Sequence, residues 1–257
     1  MANAIKKVVI FAGGEGTRMS EYTEALPKPL VPINGEPVIV RIMRHFYRAG
    51  YREFIVAVGY KSNEFKRYFR DYAFAKSNMT FTKYGSMVED NPELEDWIVR
   101  IVETGESATT GQRLNAVRSY IGDDDFFLTY GDSVSNVDLR AIEETHRASD
   151  DIATITAVNR GERFGILGVD GKGGVTRFAE KSSSNAEFIN GGFIACSNRL
   201  LAEVDSESGD FSHETLTRLA DDGKLGYYQH DGFWHAMDTK KDVDELSELH
   251  RTSPELF

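Results

Sequence analysis

The sequence predicts an α/β protein, a mixed but mostly parallel sheet flanked by helices, with antiparallel strands added in its second half. Three observations predict it. Short, nearly continuous apolar runs recur through the first 130 residues, as strands buried on both faces require. Between them lie stretches whose apolar residues fall at helical spacing. From residue 152 onward, strand-like runs follow one another with little but turns between them.

Taken in order, Lys7–Ala12 is the first buried strand, and it ends in the loop Gly13-Gly14-Glu15-Gly16-Thr17-Arg18. Val38, Ile39, Ile42, Met43 and Phe46 then mark a helix that Gly50 stops. Phe54–Val58 is the next strand, and Ser62 is placed to cap a helix carrying Phe65, Tyr68, Phe69 and Tyr72 on one side. The pattern repeats with strand Ile98–Val102, a helix around Leu114 and Val117, and strand Phe126–Tyr130. The second half offers strands Ile152–Val158, Phe164–Val169, Val175–Ala179 and Phe188–Ala195, with Asp170–Gly174 as a hairpin turn. Helices at Glu214–Ala220 and Val243–Leu249 close the chain. No repeat, low-complexity stretch or Gly/Ser/Pro-rich linker divides the 257 residues, so residues 1–257 are expected to form a single domain.

Bulk composition narrows the function. With 40% hydrophobic and 28% charged residues the chain is of ordinary globular type. Its net charge of −11 argues against broad adhesion to nucleic acid. No apolar run approaches the roughly 18–20 residues that span a bilayer, and Met1 leads straight to Lys6 and Lys7 without a signal peptide. One cysteine, Cys196, excludes an intramolecular disulfide and fits a reducing cytoplasm. In so acidic a chain, a phosphate ligand needs a local cluster of cations and backbone N–H groups.

Two loops offer one. Ligands of open α/β sheets bind at the carboxyl ends of strands. There Gly13, Gly14 and Gly16 let the backbone approach a phosphate, with Thr17 and Arg18 beside them. A plain tight turn is the alternative. The dinucleotide fingerprint fails at Met19, and Gly-Lys-Ser/Thr never occurs. In Pro27-Lys28-Pro29 the prolines disfavour helix and hold the ammonium on a stiff, extended segment. The alternative for Lys28 is an ordinary solvated lysine.

Together, Gly13-Gly14-x-Gly16-Thr17-Arg18 and Pro27-Lys28-Pro29 resemble the signature of the sugar-1-phosphate nucleotidyltransferases. The resemblance continues through Tyr130-Gly131-Asp132, Glu180-Lys181, Asn190-Gly191-Gly192-Phe193 and Trp234-x-x-Met237-Asp238-Thr239. Within that family Ser20-Glu21-x-Thr23, Glu103-Thr104-Gly105 and Thr110-Gly111-x-Arg113-Leu114 are most similar to the glucose-1-phosphate cytidylyltransferases, which make CDP-glucose.

The resemblance implies a Rossmann-like sheet of the nucleotide-diphospho-sugar transferase type. It makes residues 1–150 mainly the nucleotide-binding part and residues 151–257 mainly the sugar-phosphate-binding part. It also implies a reaction in which the sugar phosphate attacks the α-phosphorus of a nucleoside triphosphate and pyrophosphate leaves. Arg18, Lys28 and Asp132 are the implied catalytic residues. Gly13, Gly14, Gly16, Thr17, Arg18, Lys28, Thr104, Gly105, Thr110 and Gly111 would bind the nucleotide, and Glu180, Lys181, Asn190 and Gly191 the sugar phosphate. Asp132 and Asp238 would hold Mg²⁺, which favours a few carboxylates plus phosphate oxygens. Plainer readings stand beside these. Asp132 could be a turn residue, Asp238 a helix cap, Glu180-Lys181 a solvated pair, Asn190 a turn, and Trp234 core rather than a sugar platform.

Four departures bear on base and acceptor rather than on the reaction: Gln112 where the pattern has glycine, Leu30 for methionine, Ser182 for proline, and Gly168 for an acidic residue. The implied reaction is CMP transfer from CTP to α-D-glucose 1-phosphate. UTP, dTTP or GTP, or another phosphorylated acceptor, stay open, as does homo-oligomerisation. A nucleotide-sugar sensor without turnover would be expected to lose Lys28, Asp132 or Asp238, and all three are present. The implied setting is nucleotide-sugar and polysaccharide biosynthesis in the cytoplasm, with no nucleic-acid or membrane partner.

Overall fold

Strand β1 (Lys7–Ala12) lies mid-sheet, and every residue after Lys7 is buried. A computed structural model describes residues 5–19, 23–159, 166–169, 175–179 and 188–257. The pleat divides β1 between two cores: Val8, Ile10 and Ala12 enter one, Val9 and Phe11 the other. That two-sided burial is why the strand reads as a continuous apolar run.

Two short strands follow the first loops, β2 (Pro32–Ile33) and β3 (Glu36–Pro37), and pair with each other. The remaining strands of the parallel half are β4 (Glu53–Val58), β7 (Ile98–Glu103) and β8 (Phe126–Tyr130), while β5 (Met79–Thr82) and β6 (Gly85–Val88) form a separate hairpin. β1 runs parallel to β4 on one side and β8 on the other, and β4 runs parallel to β7. All four therefore end at the same edge, where the loops after Ala12, Val58, Glu103 and Tyr130 gather.

Beyond β8 the sheet becomes mixed. β9 (Ser133–Ser135) precedes β10 (Ala153–Asn159). Then come β11 (Ile166–Val169), β12 (Val175–Ala179), β13 (Phe188–Asn190), β14 (Ile194–Cys196), β15 (Leu225–His230) and β16 (Trp234–Ala236). β14 runs antiparallel to both β8 and β10, and β15 pairs parallel with β10. β11 and β12 pair with each other, as the predicted hairpin requires, though its turn at 170–174 lies outside the described residues.

Helices cover both faces. α1 (Val38–Arg48) and α2 (Ser62–Lys76) pack against the first core, and α3 (Thr110–Ile121) against the second. α4 (Leu139–Ala148), α5 (Thr217–Asp221) and α6 (Lys240–Thr252) complete the set. Past the end of α1 the chain turns at Gly50, whose φ of +99° is a glycine conformation.

Four expectations need correction. The strand expected at Phe188–Ala195 is broken into β13 and β14, because Gly192 and Phe193 take positive φ and turn the chain between them. Ser62 opens α2 rather than capping it; Lys61, at φ +50°, occupies the preceding position. The helix expected from Glu214 begins as a wide π-type turn, Phe211–Leu216, before α5. Lys28 is not extended: it opens a one-turn 3₁₀ helix, Lys28–Leu30, after an extended Pro27. Pro29 falls where a missing N–H costs nothing, so the motif is a rigid tight turn. Among the described residues no helix is long and apolar enough to cross a membrane.

Candidate active site

The glycine loop leaves β1 between two other loops. The Gly13 carbonyl accepts hydrogen bonds from the Tyr60 amide and from Arg113 Nη2 at 3.2 and 3.0 Å. A Cβ at Gly13 would fall 2.2 Å from the Arg113 guanidinium carbon, so any larger residue there would displace the guanidinium from its partners. Gly14 is exposed, with nothing near its would-be Cβ. Gly16 takes φ +62° and lies against the Lys28 side chain. Thr17 and Arg18 sit in the turn Thr17–Met19, closed by the Met19 amide donating to the Gly16 carbonyl at 2.9 Å. Thr23 Oγ1 also donates to the Gly16 carbonyl, at 3.3 Å.

Sequence spacing alone gave Arg113 no task, yet it organises this edge. Its guanidinium, on α3, is buried and donates to the carbonyls of Gly13, Val58, Gly105 and Glu106 and to Thr104 Oγ1, at 2.6 to 3.3 Å. The ends of β1, β4 and β7 are thus tied to one planar donor. Burial lowers the Arg113 pKa. The expected residues Thr104 and Gly105 thereby stand beside the glycine loop.

Thr110 and Gly111 turn elsewhere. Thr110 Oγ1 donates to Asp210 Oδ2 and accepts from the Phe211 amide, while the Gly111 amide donates to the Gly209 carbonyl. Gln112 also has a function here. It completes a capping box with Thr109 at the start of α3, and its Nε2 donates to the Ser206 carbonyl at 3.1 Å. A glycine at that position could do neither.

The charged centre is assembled by backbone geometry. The Gly131 amide donates to the Phe11 carbonyl at 3.0 Å, and a Cβ at Gly131 would meet Pro29 Cγ at 3.0 Å. Glycine there lets the end of β8 pass against the Lys28 turn. β9 and β16 pair antiparallel, Ser133 opposite Ala236, and the Met237 amide donates to the Asp132 carbonyl at 2.8 Å. Asp132 and Asp238, 106 positions apart in sequence, are thereby brought together. Lys28 Nζ bridges them, donating to Asp132 Oδ2 at 2.6 Å and Asp238 Oδ1 at 2.7 Å, and its side chain is only 11% exposed. Asp238 is not the helix cap. Thr239 caps α6, with Asp242 reciprocating.

Two carboxylates from separate elements, aimed at one cation, suit Mg²⁺ by number and chemistry, and the ammonium between them stands in for such an ion. His235, Asp242 and Glu245 also bring ligand atoms within 4.8 Å of one another. The α6 cap occupies Asp242, and Lys241 pairs with Glu245 at 3.2 Å.

On the far side, Asn190 ends β13 and its Oδ1 accepts from the Gly192 amide at 3.0 Å. Gly191 is wedged in place: a Cβ would lie 2.4 Å from Val158 Cγ2. Trp234, half-buried, donates its indole N–H to the Gly191 carbonyl at 2.8 Å and packs on the first core, which favours the core reading of this ring. Glu180 and Lys181 lie outside the described residues, as do Ser20, Glu21 and Ser182.

Comparison with known proteins identifies the family. Residues 7–252 match the model of the family described as nucleotidyl transferase. A glucose-1-phosphate cytidylyltransferase of Salmonella typhi is 40% identical over 245 residues, covering 95% of each chain. A Bacillus subtilis relative whose name carries the same activity is 38% identical over 244 residues, again with 95% of each covered. Among solved structures, a UDP-glucose pyrophosphorylase from Acinetobacter baumannii superposes with a TM-score of 0.67 at 17% identity, covering 98% of this chain and 96% of that one. Such a likeness speaks for the fold alone.

Proposed function

The chain belongs to the nucleotidyl transferase family, and on that premise we propose that it transfers CMP from CTP onto α-D-glucose 1-phosphate, giving CDP-glucose and pyrophosphate. One observation carries the chemistry: an ammonium and two carboxylates converge beside a glycine loop at the carboxyl edge of the parallel strands. The cytidylyltransferase names of relatives at 38–40% identity support the choice of base and acceptor.

In this reading Gly13, Gly14, Gly16, Thr17 and Arg18 hold the β- and γ-phosphates. Lys28 neutralises charge that grows on the α-phosphate as pyrophosphate departs. Thr104 and Gly105 face the base, and Thr110 and Gly111 shape that wall through their ties to 209–211. Glu180, Lys181, Asn190 and Gly191 take the sugar phosphate, and Lys181 holds its charge so that an oxygen is aimed at the α-phosphorus. Asp132 and Asp238 would hold Mg²⁺, which supplies charge neutralisation across the nucleotide's phosphates when bound. No protein group forms a bond to the nucleotide, so positioning and electrostatics do the catalysis. The cytoplasm, where CTP is held, is the location this reaction needs.

Pyrophosphate release from CTP, UTP, dTTP and GTP, each against a panel of sugar 1-phosphates, tests the assignment. The expected result is a kcat/KM for CTP with glucose 1-phosphate that exceeds UTP at least tenfold. A base pocket that leaves buried polar groups unpaired opposite the wrong base disfavours it by roughly 1–3 kcal/mol per group. Equal values for CTP and UTP would overturn the base assignment.

A further inference from the structure

We infer that Lys28 occupies the Asp132–Asp238 pair as a cation in the nucleotide-free enzyme, so that a divalent metal enters only as Lys28 turns to the nucleotide's phosphates. The inference rests on the reading of that pair as the metal ligands, and it adds an order of events to it.

The geometry sets the two cations in competition for the same two oxygens. Lys28 Nζ donates to one oxygen of each carboxylate, at 2.6 and 2.7 Å. Mg²⁺ would bind such oxygens at about 2.0–2.1 Å. An ion bonded to both would press into the ammonium and repel it, so one must leave. The ammonium also holds the position well. It is covalently tethered, its side chain is almost fully covered, and its backbone is locked in the Pro27–Pro29 turn. Mg²⁺ gives up its water reluctantly and binds through one or two carboxylates plus substrate phosphates. Two carboxylates, 33% and 35% exposed and already bridged by an ammonium, are a poor site for it.

A triphosphate changes both sides of this competition. Its oxygens complete the coordination of the metal and offer the ammonium a new charge-assisted partner. The direction of travel is built in: a side chain at Gly16 would meet Lys28 Cβ at 3.0 Å and Cδ at 3.6 Å, so the stem already lies along the glycine loop. Rotation of the outer bonds carries Nζ off the carboxylates while the stem stays packed. By linkage, nucleotide strengthens metal binding and metal strengthens nucleotide binding by the same factor.

The test is Mn²⁺ binding to nucleotide-free protein, read by electron paramagnetic resonance of the bound ion. Lys28→Met removes the ammonium while keeping a side chain of similar length, and Lys28→Gln provides a second variant; circular dichroism confirms that each is folded. Both variants are expected to bind Mn²⁺ at least tenfold more tightly than the wild type. Adding Asp238→Asn to Lys28→Met is expected to abolish the gain. Wild-type affinity equal to or above that of the variants would overturn the exchange and leave the metal assignment intact. A gain that survives Asp238→Asn would overturn it also, by placing the ion elsewhere. If no protein bound Mn²⁺ even with CTP present, the metal assignment would fail and the exchange with it.

Discussion

Asp132 and Lys28 show how much can depend on one oxygen. Asp132→Asn keeps the shape but offers an ammonium or a metal a neutral amide instead of a charge. Turnover in steady-state assays is expected to fall by at least a hundredfold with the circular dichroism spectrum unchanged; near-normal turnover would remove Asp132 from the site. The two phosphate-binding lysines should part company in different measurements. Lys181→Ala is expected to raise the KM for the sugar phosphate while calorimetric CTP affinity stays nearly constant. Lys28→Ala is expected to depress kcat, because the charge it meets grows in the transition state. These residues were legible in the sequence because each sits in a short local motif: glycines with Thr17 and Arg18, Lys28 between prolines, Asp132 after Gly131, Asp238 before Thr239. The bridge between Lys28 and the two carboxylates was not legible, since it depends on β9 pairing with β16 across about a hundred residues.

At the scale of elements, the site depends on how strand ends are held together. Arg113 ties three of them through backbone carbonyls, which carry no side-chain signature, so its role could not be read from sequence. Arg113→Met would strand those acceptors in a buried setting, at roughly 1–3 kcal/mol each where water cannot replace the donor. A melting temperature lower by roughly 5 °C or more is expected, together with at least tenfold weaker CTP binding by calorimetry. Arg113→Lys should recover part of the stability and less of the binding, because one ammonium cannot span a planar set of five acceptors. Nucleotide affinity unchanged in Arg113→Met would show the loops to be held by other means. Other elements escaped the sequence for plainer reasons. The hairpin β5–β6 is exposed except at Met79, with Phe81 and Tyr84 open to solvent, so the brief apolar–polar alternation of Met79-Thr80-Phe81-Thr82 marks no buried face. Helix α4 did carry a signal: Asp138 caps it, with its Oδ1 accepting from the amides of Arg140 and Ala141, ahead of apolar Leu139 and Ile142.

For the molecule as a whole, the two cores on either side of one sheet set both stability and pH response. His45, on α1, is largely enclosed, and its Nε2–H donates to the Val137 carbonyl at 2.9 Å as a neutral imidazole. Burial holds its pKa down at about 4, against roughly 6.5 in the unfolded chain. Between those values the unfolded chain binds a proton that the native one lacks, so stability falls as the pH drops from about 6.5 towards 4. Burial lowers His146 in the same direction. Urea denaturation at pH 7 and pH 5 is expected to show a loss of about 1–2 kcal/mol from His45, and His45→Gln should reduce the pH dependence by that amount. An undiminished pH dependence would place its origin in other groups.

The family reaction itself is read most directly by ³¹P nuclear magnetic resonance of the enzyme incubated with CTP, Mg²⁺ and α-D-glucose 1-phosphate. The sugar phosphate resonance and the triphosphate resonances are expected to disappear together. They should be replaced by the paired diphosphate signals of CDP-glucose and by one equivalent of pyrophosphate. Loss of CTP to CDP or CMP while glucose 1-phosphate stays intact, or no change in either, would rule this transfer out.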